Sequence, residues 1–149
     1  MPVDLVWRLL LAAGLGAAVG LEREYRQKPA GLRTNTLIAV GSALFTVMSV
    51  SLTGGGGDPS RIAAQIVTGI GFLGGGAIMR NRDSVHGMTT AATIWVNAAI
   101  GVAAGAGQYA LATFTAALTL VVLVVLPPIE RYFERRAGWP DRHRPPPER

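Results

Sequence analysis

Five long apolar stretches, separated by short segments rich in glycine, proline and charge, constrain this chain more than any other feature. Each stretch comes close to the roughly 20 residues that a helix needs to cross the hydrocarbon core of a bilayer. The stretches are Val3–Leu21, Thr34–Thr53, Ile62–Met79, Met88–Gly107 and Tyr109–Leu126. The pattern predicts an all-α integral membrane protein, a bundle of about five transmembrane helices. We expect the last helix to end at Pro127 and Pro128, because proline breaks a helix interior.

The composition agrees with a membrane protein. Only 15% of the 149 residues are charged, whereas a soluble domain averages about 25%. The 19 glycines suit membrane helices, which must approach one another closely to attract. The chain has no cysteine, which excludes disulfides and thiolate metal sites. The first stretch lacks a basic segment before it, so we expect it to be retained rather than cleaved as a signal peptide.

The distribution of basic residues predicts the orientation. Twelve of the 14 lysines and arginines fall in segment 22–33, in segment 80–87 or after Pro127, and only Arg8 and Arg61 lie on the other side of a five-span bundle. Because cytoplasmic loops carry the excess of basic residues, the N-terminus is expected outside and the C-terminus in the cytoplasm. The net charge of +5 is then a consequence of topology, and we do not expect binding to nucleic acid.

The same pattern divides the chain into a transmembrane domain, residues 1–127, and a short, basic, proline-rich cytoplasmic tail, residues 128–149. Some 22 residues are too few for a folded domain. We expect the end of the tail to be disordered, since it lacks apolar residues to bury. Its arginines could contact anionic lipid.

A charged segment follows the first stretch and has two interpretations. Glu22 with Arg26, and Glu24 with Lys28, have the i, i+4 spacing of helical ion pairs, so the first helix should continue past Leu21 and end before Pro29. Thr34 or Asn35 could then cap the second helix. The segment is either a solvated helix end or a binding or docking surface at the cytoplasmic rim. The candidate rim residues are Glu22, Arg23, Glu24, Lys28, Arg33, Arg80 and Asp83.

Glycines recur at helical spacing in three pairs, Gly16/Gly20, Gly71/Gly75 and Gly101/Gly105. Such pairs line one face of a helix and favour close packing. The third stretch is the richest, and its candidate residues are Gly69, Gly71, Gly74, Gly75 and Gly76. Either this helix packs tightly, or it is broken and exposes backbone carbonyls to a polar pathway.

Polar residues inside the predicted spans are further candidates, because lipid makes them costly unless they have a partner or a function. The candidates in the third and fourth spans are Gln65, Thr68, Thr89, Thr90, Thr93 and Asn97. The amide of Asn97 could bond to a neighbouring helix or point into a cavity. Arg61 is the candidate at the outer face.

The nine acidic residues limit the chemistry. Mg²⁺ prefers octahedral oxygen ligands with one or two carboxylates, and none of the nine lies in the middle of a span. A midplane carboxylate site is therefore excluded within one protomer, although a hydrated ion could still pass hydroxyls, amides and carbonyls. The rim arginines suit an anionic ligand such as phosphate. Neither His86 nor His143 belongs to a nucleophile–base pair, so we expect no enzyme and no cofactor, with Mg²⁺ at most a ligand or substrate.

Three segments together resemble one known family. Gly20–Thr36, Arg61–Arg80 and Val85–Gln108 are similar, in order, to the motifs of the MgtC/SapB family of bacterial inner-membrane proteins. The resemblance implies a multi-pass domain in the bacterial cytoplasmic membrane, adaptation to low magnesium and, in some bacteria, survival inside host cells. The candidates at matching positions are Glu22, Arg23, Lys28, Arg33, Arg61, Gln65, Gly69, Gly71, Gly74, Gly75, Gly76, Thr89, Thr90 and Asn97. Thr89 and Val96 stand where some members carry asparagine and cysteine, so roles of those side chains do not transfer.

The resemblance leaves two functions open. One is magnesium homeostasis as a transporter or channel for Mg²⁺ or another ion. The alternative is a non-transporting regulator that docks on another membrane complex, such as ATP synthase, or binds an anionic ligand. We expect a short form without the ACT-like cytoplasmic domain of longer members, which puts activities of that domain in doubt. A homodimer or other homo-oligomer and a membrane-protein partner are expected from symmetry and from the glycine faces.

Overall fold

Five helices and one short hairpin make up the structure, a computed structural model that describes residues 3–53, 58, 60–81 and 84–137. The helices are α1 (Val3–Tyr25), α2 (Leu32–Thr53), α3 (Ser60–Gly76), α4 (Met88–Gly105) and α5 (Tyr109–Ala137). Strands β1 (Met79–Asn81) and β2 (Ser84–His86) form the hairpin between α3 and α4. The predicted all-α bundle of five helices is confirmed.

Four of these helices, α1, α2, α4 and α5, are long and apolar enough to cross a membrane. Helix α3 has 17 residues, a length of about 25 Å at 1.5 Å per residue, which is slightly short of a hydrocarbon core of about 30 Å. The hairpin follows it directly, with Arg80 opposite Val85 in the antiparallel pair. We did not predict the hairpin, because its strands of three residues are too short to show an alternating pattern.

Helix α2 lies between α1 and α4 because glycines allow the backbones to touch. A Cβ on Gly16 of α1 would lie 2.7 Å from Cβ of Ala39, and one on Gly101 of α4 would lie 2.3 Å from the carbonyl oxygen of the same residue. A Cβ on Gly105 would lie 2.5 Å from the carbonyl oxygen of Ala43. These distances are below any real Cβ contact. Close packing is therefore confirmed for the glycine pairs of α1 and α4.

The glycines of α3 behave differently. Helix α3 runs without interruption through Gly69 and Gly71 to Gly76, so the broken-helix alternative is wrong. Gly74 packs against Ala91 of α4, but a Cβ on Gly69, Gly71, Gly75 or Gly76 would meet no atom within 4 Å. Tight packing therefore accounts for one glycine of the five, and four of them face open space.

The end of α5 differs from the prediction, because the helix continues through Pro127 and Pro128 to Ala137. Proline has no N–H, so Pro128 leaves the carbonyl of Val124 without its helical partner. Nη2 of Arg26, the residue directly after α1, lies 3.4 Å from this oxygen, which gives the carbonyl another donor. The predicted stop at the prolines is wrong, and the helix crosses the predicted domain boundary at residue 127. The tail beyond Ala137 lies outside the described residues.

At the opposite end of the bundle, charged side chains connect three helices. Arg8 Nη1 donates to the carbonyl oxygen of Gly105, at 2.9 Å, and so satisfies a free carbonyl at the end of α4. Asp4 forms an ion pair with Arg8 and accepts a 2.5 Å hydrogen bond from the hydroxyl of Tyr109. This network ties the start of α1 to the tight α4–α5 turn.

Candidate functional site

In the described part of the chain, eight polar or charged side chains are buried between the helices, most of them in α2 and α4. In lipid, such groups mark functional or specifically paired positions. We call this set the buried polar core: Arg23, Asn35, Ser42, Thr46, Ser49, Thr90, Thr93 and Asn97. Four of its members lie on one face of α2, four come from α1 and α4, and only four of the eight were candidates from the sequence.

An amide pair joins α2 to α4 within this core. Asn97 Nδ2 donates to the backbone oxygen of Asn35 at 2.7 Å and lies 3.1 Å from its Oδ1, and both residues are 0% exposed. The interhelix hydrogen bond, one of the two alternatives for Asn97, is confirmed. The amide oxygen Oδ1 of Asn97 is buried and has no hydrogen-bond partner among the described residues.

Asn35 also holds the α1–α2 loop. Its Nδ2 donates to the carbonyl oxygens of Ala30 and Gly31, and Ala30 has a positive φ of 56°. Asn35 therefore connects the loop, α2 and α4. We had expected a helix cap here, but α2 begins earlier, at Leu32. A usable signal existed, because Asn35, Ser42 and Ser49 recur every seven residues and so share one helix face.

The threonine stripe of α4 is only partly buried. Thr90 and Thr93 are buried, whereas Thr89 is exposed. The hydroxyl of Thr93 donates to the backbone oxygen of Thr89 at 2.7 Å, which is the local satisfaction common to threonine in helices. Gln65 is exposed. Thr90 and Thr93 thus share the buried face of α4 with Asn97, whereas Thr89 and Gln65 do not belong to it.

At the end of α1, a small ion cluster replaces the expected open rim. Glu22 Oε1 lies 2.7 Å from Arg26 Nε, and Glu22 Oε2 lies 3.6 Å from Arg23 Nη1. Arg23 is only 5% exposed, and its Nε has no hydrogen-bond partner among the described residues. It is buried because it continues the face of Gly16 and Gly20 that packs on α2. The predicted Glu22–Arg26 pair is confirmed, and Arg23 is buried instead of solvated. The role of Arg23 in binding or docking stays a prediction.

The other rim candidates separate. Glu24 Oε2 accepts a 3.1 Å hydrogen bond from the backbone N–H of Leu32, so it caps α2 instead of pairing with Lys28. Lys28, Arg33 and Arg80 are exposed, and Asp83 lies outside the described residues. Arg61, the outer-face candidate, is exposed at the start of α3. Their convergence on an anion stays a prediction.

Among the residues that the structure describes, no three histidines or carboxylates lie close enough to hold a metal ion. A groove of about 530 Å³ runs along α3 and α4 and is lined by apolar side chains such as Ile66, Trp95 and Val102. The polar chemistry of the chain is therefore in the buried polar core and at the helix ends.

Comparison with known proteins agrees with this architecture. The model of the MgtC family matches residues 9–132. The putative magnesium transporter YhiD of Escherichia coli K12 is 49% identical over 132 residues, which cover 84% of this chain and 61% of that protein. Protein MgtC of Salmonella typhimurium is 51% identical over 118 residues, covering 79% of this chain and 49% of that protein.

Protein MgtC of Brucella abortus is 48% identical over 123 residues, which cover 83% of this chain and 51% of that protein. The chain thus spans about half to three fifths of the length of these curated relatives. No solved structure matches it. The described structure contains four helices that could cross a membrane, as in a multi-pass membrane protein. Because the family model matches residues 9–132, most of the sequence, this chain belongs to the MgtC family.

Proposed function

We propose that this protein acts in magnesium homeostasis or adaptation to low Mg²⁺, in the bacterial cytoplasmic membrane, as a module that docks on another membrane protein and regulates it. The observation that carries the proposal is a contrast between glycine pairs. The spaces beside Gly16/Gly20 and Gly101/Gly105 are filled mainly by α2, whereas a Cβ on Gly71 or Gly75 would meet no atom of the described residues within 4 Å. The link to magnesium rests on the similar Escherichia coli protein, which is named a putative magnesium transporter.

The open glycines belong to a continuous face of small residues. Ala64, Thr68, Gly71 and Gly75 are all exposed and follow one another at spacings of three or four, so they share one side of α3. The hydroxyl of Thr68 donates to the backbone oxygen of Ala64, at 3.1 Å, and needs no outside partner. In lipid, such a face lets a second helix approach closely and gain dispersion contacts. It is therefore suited to a transmembrane helix of a partner.

The packing of the interior also supports a regulator. The contacts of Gly101 and Gly105 with α2 leave no room even for a methyl group, and the Asn35–Asn97 pair closes the polar region between α2 and α4. An ion passing there would have to separate these helices and replace the hydrogen bond that joins them.

A second candidate function is transport of Mg²⁺ or another cation. It is favoured by the buried amide oxygen of Asn97, which has no partner among the described residues, and by the name of the Escherichia coli relative. A backbone rearrangement that opened the α2–α4 contact would expose Asn35, Thr93 and Asn97 to a passing hydrated ion.

Flux measurements separate the two candidates. The purified chain is reconstituted in liposomes that hold a Mg²⁺-sensitive dye, and a Mg²⁺ gradient is applied. We expect no influx above that of protein-free liposomes. Influx that rises with protein amount and falls in Asn97→Ala would refute the regulatory proposal and support transport.

Photo-crosslinking in native membranes tests docking directly. A photoreactive amino acid at Gly71 should give an adduct with one membrane protein of defined identity. The matched control places the same group at Val121 of α5, which is also exposed but lies among large apolar residues, and it should give lipid adducts alone. Adducts at Gly71 with a second copy of this chain, or none with protein, would contradict docking on another protein.

A further inference from the structure

The part of α5 beyond the prolines, residues 127–137, lies outside the membrane core. Helix α5 has 29 residues, or about 44 Å at 1.5 Å per residue, while the hydrocarbon core is about 30 Å thick. The apolar part, Tyr109–Leu126, spans about 27 Å of this length. Residues 127–137, which we call the α5 extension, therefore begin at the depth of the lipid headgroups and continue beyond it.

Charges on the α5 extension are separated by sign. Successive residues of a helix are turned by about 100°, so Glu130 and Glu134 share one side, and Arg131 and Arg135 share the adjacent side. Like charges at i, i+4 destabilise an isolated helix. Both arginines are exposed, and neither forms an ion pair within the described part of the chain. This basic side is therefore available to an external anion.

The depth of the basic side matches that of phospholipid phosphates. Arg131 lies about 8 Å beyond Leu126 along the helix axis, and the headgroup layer is about 5–8 Å thick on each side of the core. Arg135 lies one turn further out. Side chains on a helix tilt toward its N-terminus, which here is toward the membrane, and a long arginine can extend in that direction.

Neighbouring side chains complete an interfacial surface. Arg26, directly after α1, reaches α5, with its Nη2 3.4 Å from the oxygen of Val124. Val124 and Arg131 are seven residues apart and so share one face of α5, which places Arg26 on the same side as Arg131. Arg26 is already paired with Glu22. It therefore contributes to the positive electrostatic potential of this side without being the main ligand. Tyr132 and Phe133 are 55% and 64% exposed, as is typical of aromatic side chains that anchor at the headgroup level.

We propose that Arg131 and Arg135 bind the phosphate of an anionic phospholipid headgroup in the leaflet from which α5 emerges. Charge complementarity and depth identify a lipid of that leaflet as the ligand. Guanidinium groups bind phosphate oxygens through paired hydrogen bonds. The site is independent of the regulatory function proposed above, and either could fail without the other.

Native mass spectrometry of the full chain in detergent tests the site. Dioleoyl phosphatidylglycerol and dioleoyl phosphatidylcholine are titrated separately, and the bound fraction is followed. We expect tighter binding of phosphatidylglycerol, and about thirty-fold weaker binding in Arg131→Gln/Arg135→Gln, since each arginine near an anionic surface contributes about a five-fold gain. The control Glu130→Gln/Glu134→Gln, on the adjacent side, should bind at least as tightly as wild type.

Three outcomes would overturn the proposal. The first is equal affinity for the two lipids, and the second is unchanged binding in the double arginine variant. The third is displacement of phosphatidylglycerol by millimolar inorganic phosphate, which would indicate a site for free phosphate. Circular dichroism checks that the variant retains its helices. If the double variant unfolds, the single variants Arg131→Gln and Arg135→Gln carry the test, each with an expected loss of about five-fold.

Discussion

At the scale of single residues, the nitrogen and the oxygen of the Asn97 amide differ in their hydrogen bonding. Its nitrogen donates to Asn35 and so fastens α4 to α2, while its oxygen is buried without a partner among the described residues. An unpartnered oxygen is costly in an apolar interior, and the donated hydrogen bonds offset part of that cost.

Replacing Asn97 by alanine should destabilise the protein by about 1 kcal/mol, the scale of interhelix hydrogen bonds measured in membranes. The expected readout is a melting temperature lower by a few degrees in detergent. Thr89→Ala, on an exposed position of the same helix, is the control and should change stability by less than about 0.5 kcal/mol. An unchanged melting temperature for Asn97→Ala would show that the amide contributes no net stability.

Glu24 provides a second test at this scale, because its carboxylate accepts the N–H of Leu32 at the start of α2. Glu24→Ala should lower the free energy of unfolding by about 1 kcal/mol, as for the loss of other helix caps. The stability of Glu24→Gln should lie between that of Glu24→Ala and that of the wild type. Lys28→Ala, which removes the exposed partner expected from the sequence, should be neutral in the same chemical-denaturation assay. Equal losses for Glu24→Ala and Lys28→Ala would instead support the predicted ion pair.

At the scale of helices, the bundle is organised around α2. Glycines of α1 and α4 press against its two sides, and the backbone contacts at Ala39 and Ala43 allow interhelix hydrogen bonds that larger residues would prevent. Helix α3 has no equivalent contact at Gly71 or Gly75. Glycine therefore allows close helix packing in α1 and α4, whereas in α3 it forms part of an exposed surface.

This contrast predicts opposite effects for two matched substitutions. Gly101→Ala places a Cβ 2.3 Å from a backbone oxygen of α2, so the helices must separate, at a cost of about 1–3 kcal/mol. Gly71→Ala meets no atom and should be neutral or stabilising by up to about 1 kcal/mol, because alanine favours helix. Thermal melting and yield of monodisperse protein measure both. A larger loss in Gly71→Ala would show that α3 is packed in the membrane.

At the scale of the whole molecule, the two ends of the bundle differ in charge. The end with Arg8 and the α4–α5 turn carries few basic residues, and the end with Arg26, Lys28, Arg80 and the α5 extension carries most of them. The placement of the second end in the cytoplasm follows from the excess of basic residues in cytoplasmic loops, and it stays a prediction.

Cysteine labelling measures this orientation, because the chain contains no cysteine. Gln108→Cys, in the exposed α4–α5 turn, should react with a membrane-impermeant maleimide in intact cells. Gln27→Cys, in the exposed α1–α2 loop, should react only after the membrane is permeabilised. The reverse pattern would invert the bundle, and it would also move the proposed lipid site to the other leaflet.

The sequence by itself determined the number of helices and most of their approximate ends, and it placed the glycine pairs of α1 and α4 each on one helix face. Those features depend on hydropathy and residue spacing within one segment, and both can be obtained from the sequence of that segment alone. Likewise, the ion pair of Glu22 with Arg26 is four residues apart on one helix and needs no tertiary information.

Only the tertiary structure decided which side chains are buried and what they contact. Arg23 is buried because α2 covers its side of α1, and Asn35 is central because α4 brings Asn97 within 2.7 Å of its carbonyl oxygen, 62 residues away in the chain. Helix α5 continues through its prolines, and Arg26 reaches the oxygen of Val124, which replaces one of the two hydrogen bonds that the prolines remove. These outcomes depend on partners distant in sequence, and a segment read alone contains no record of them.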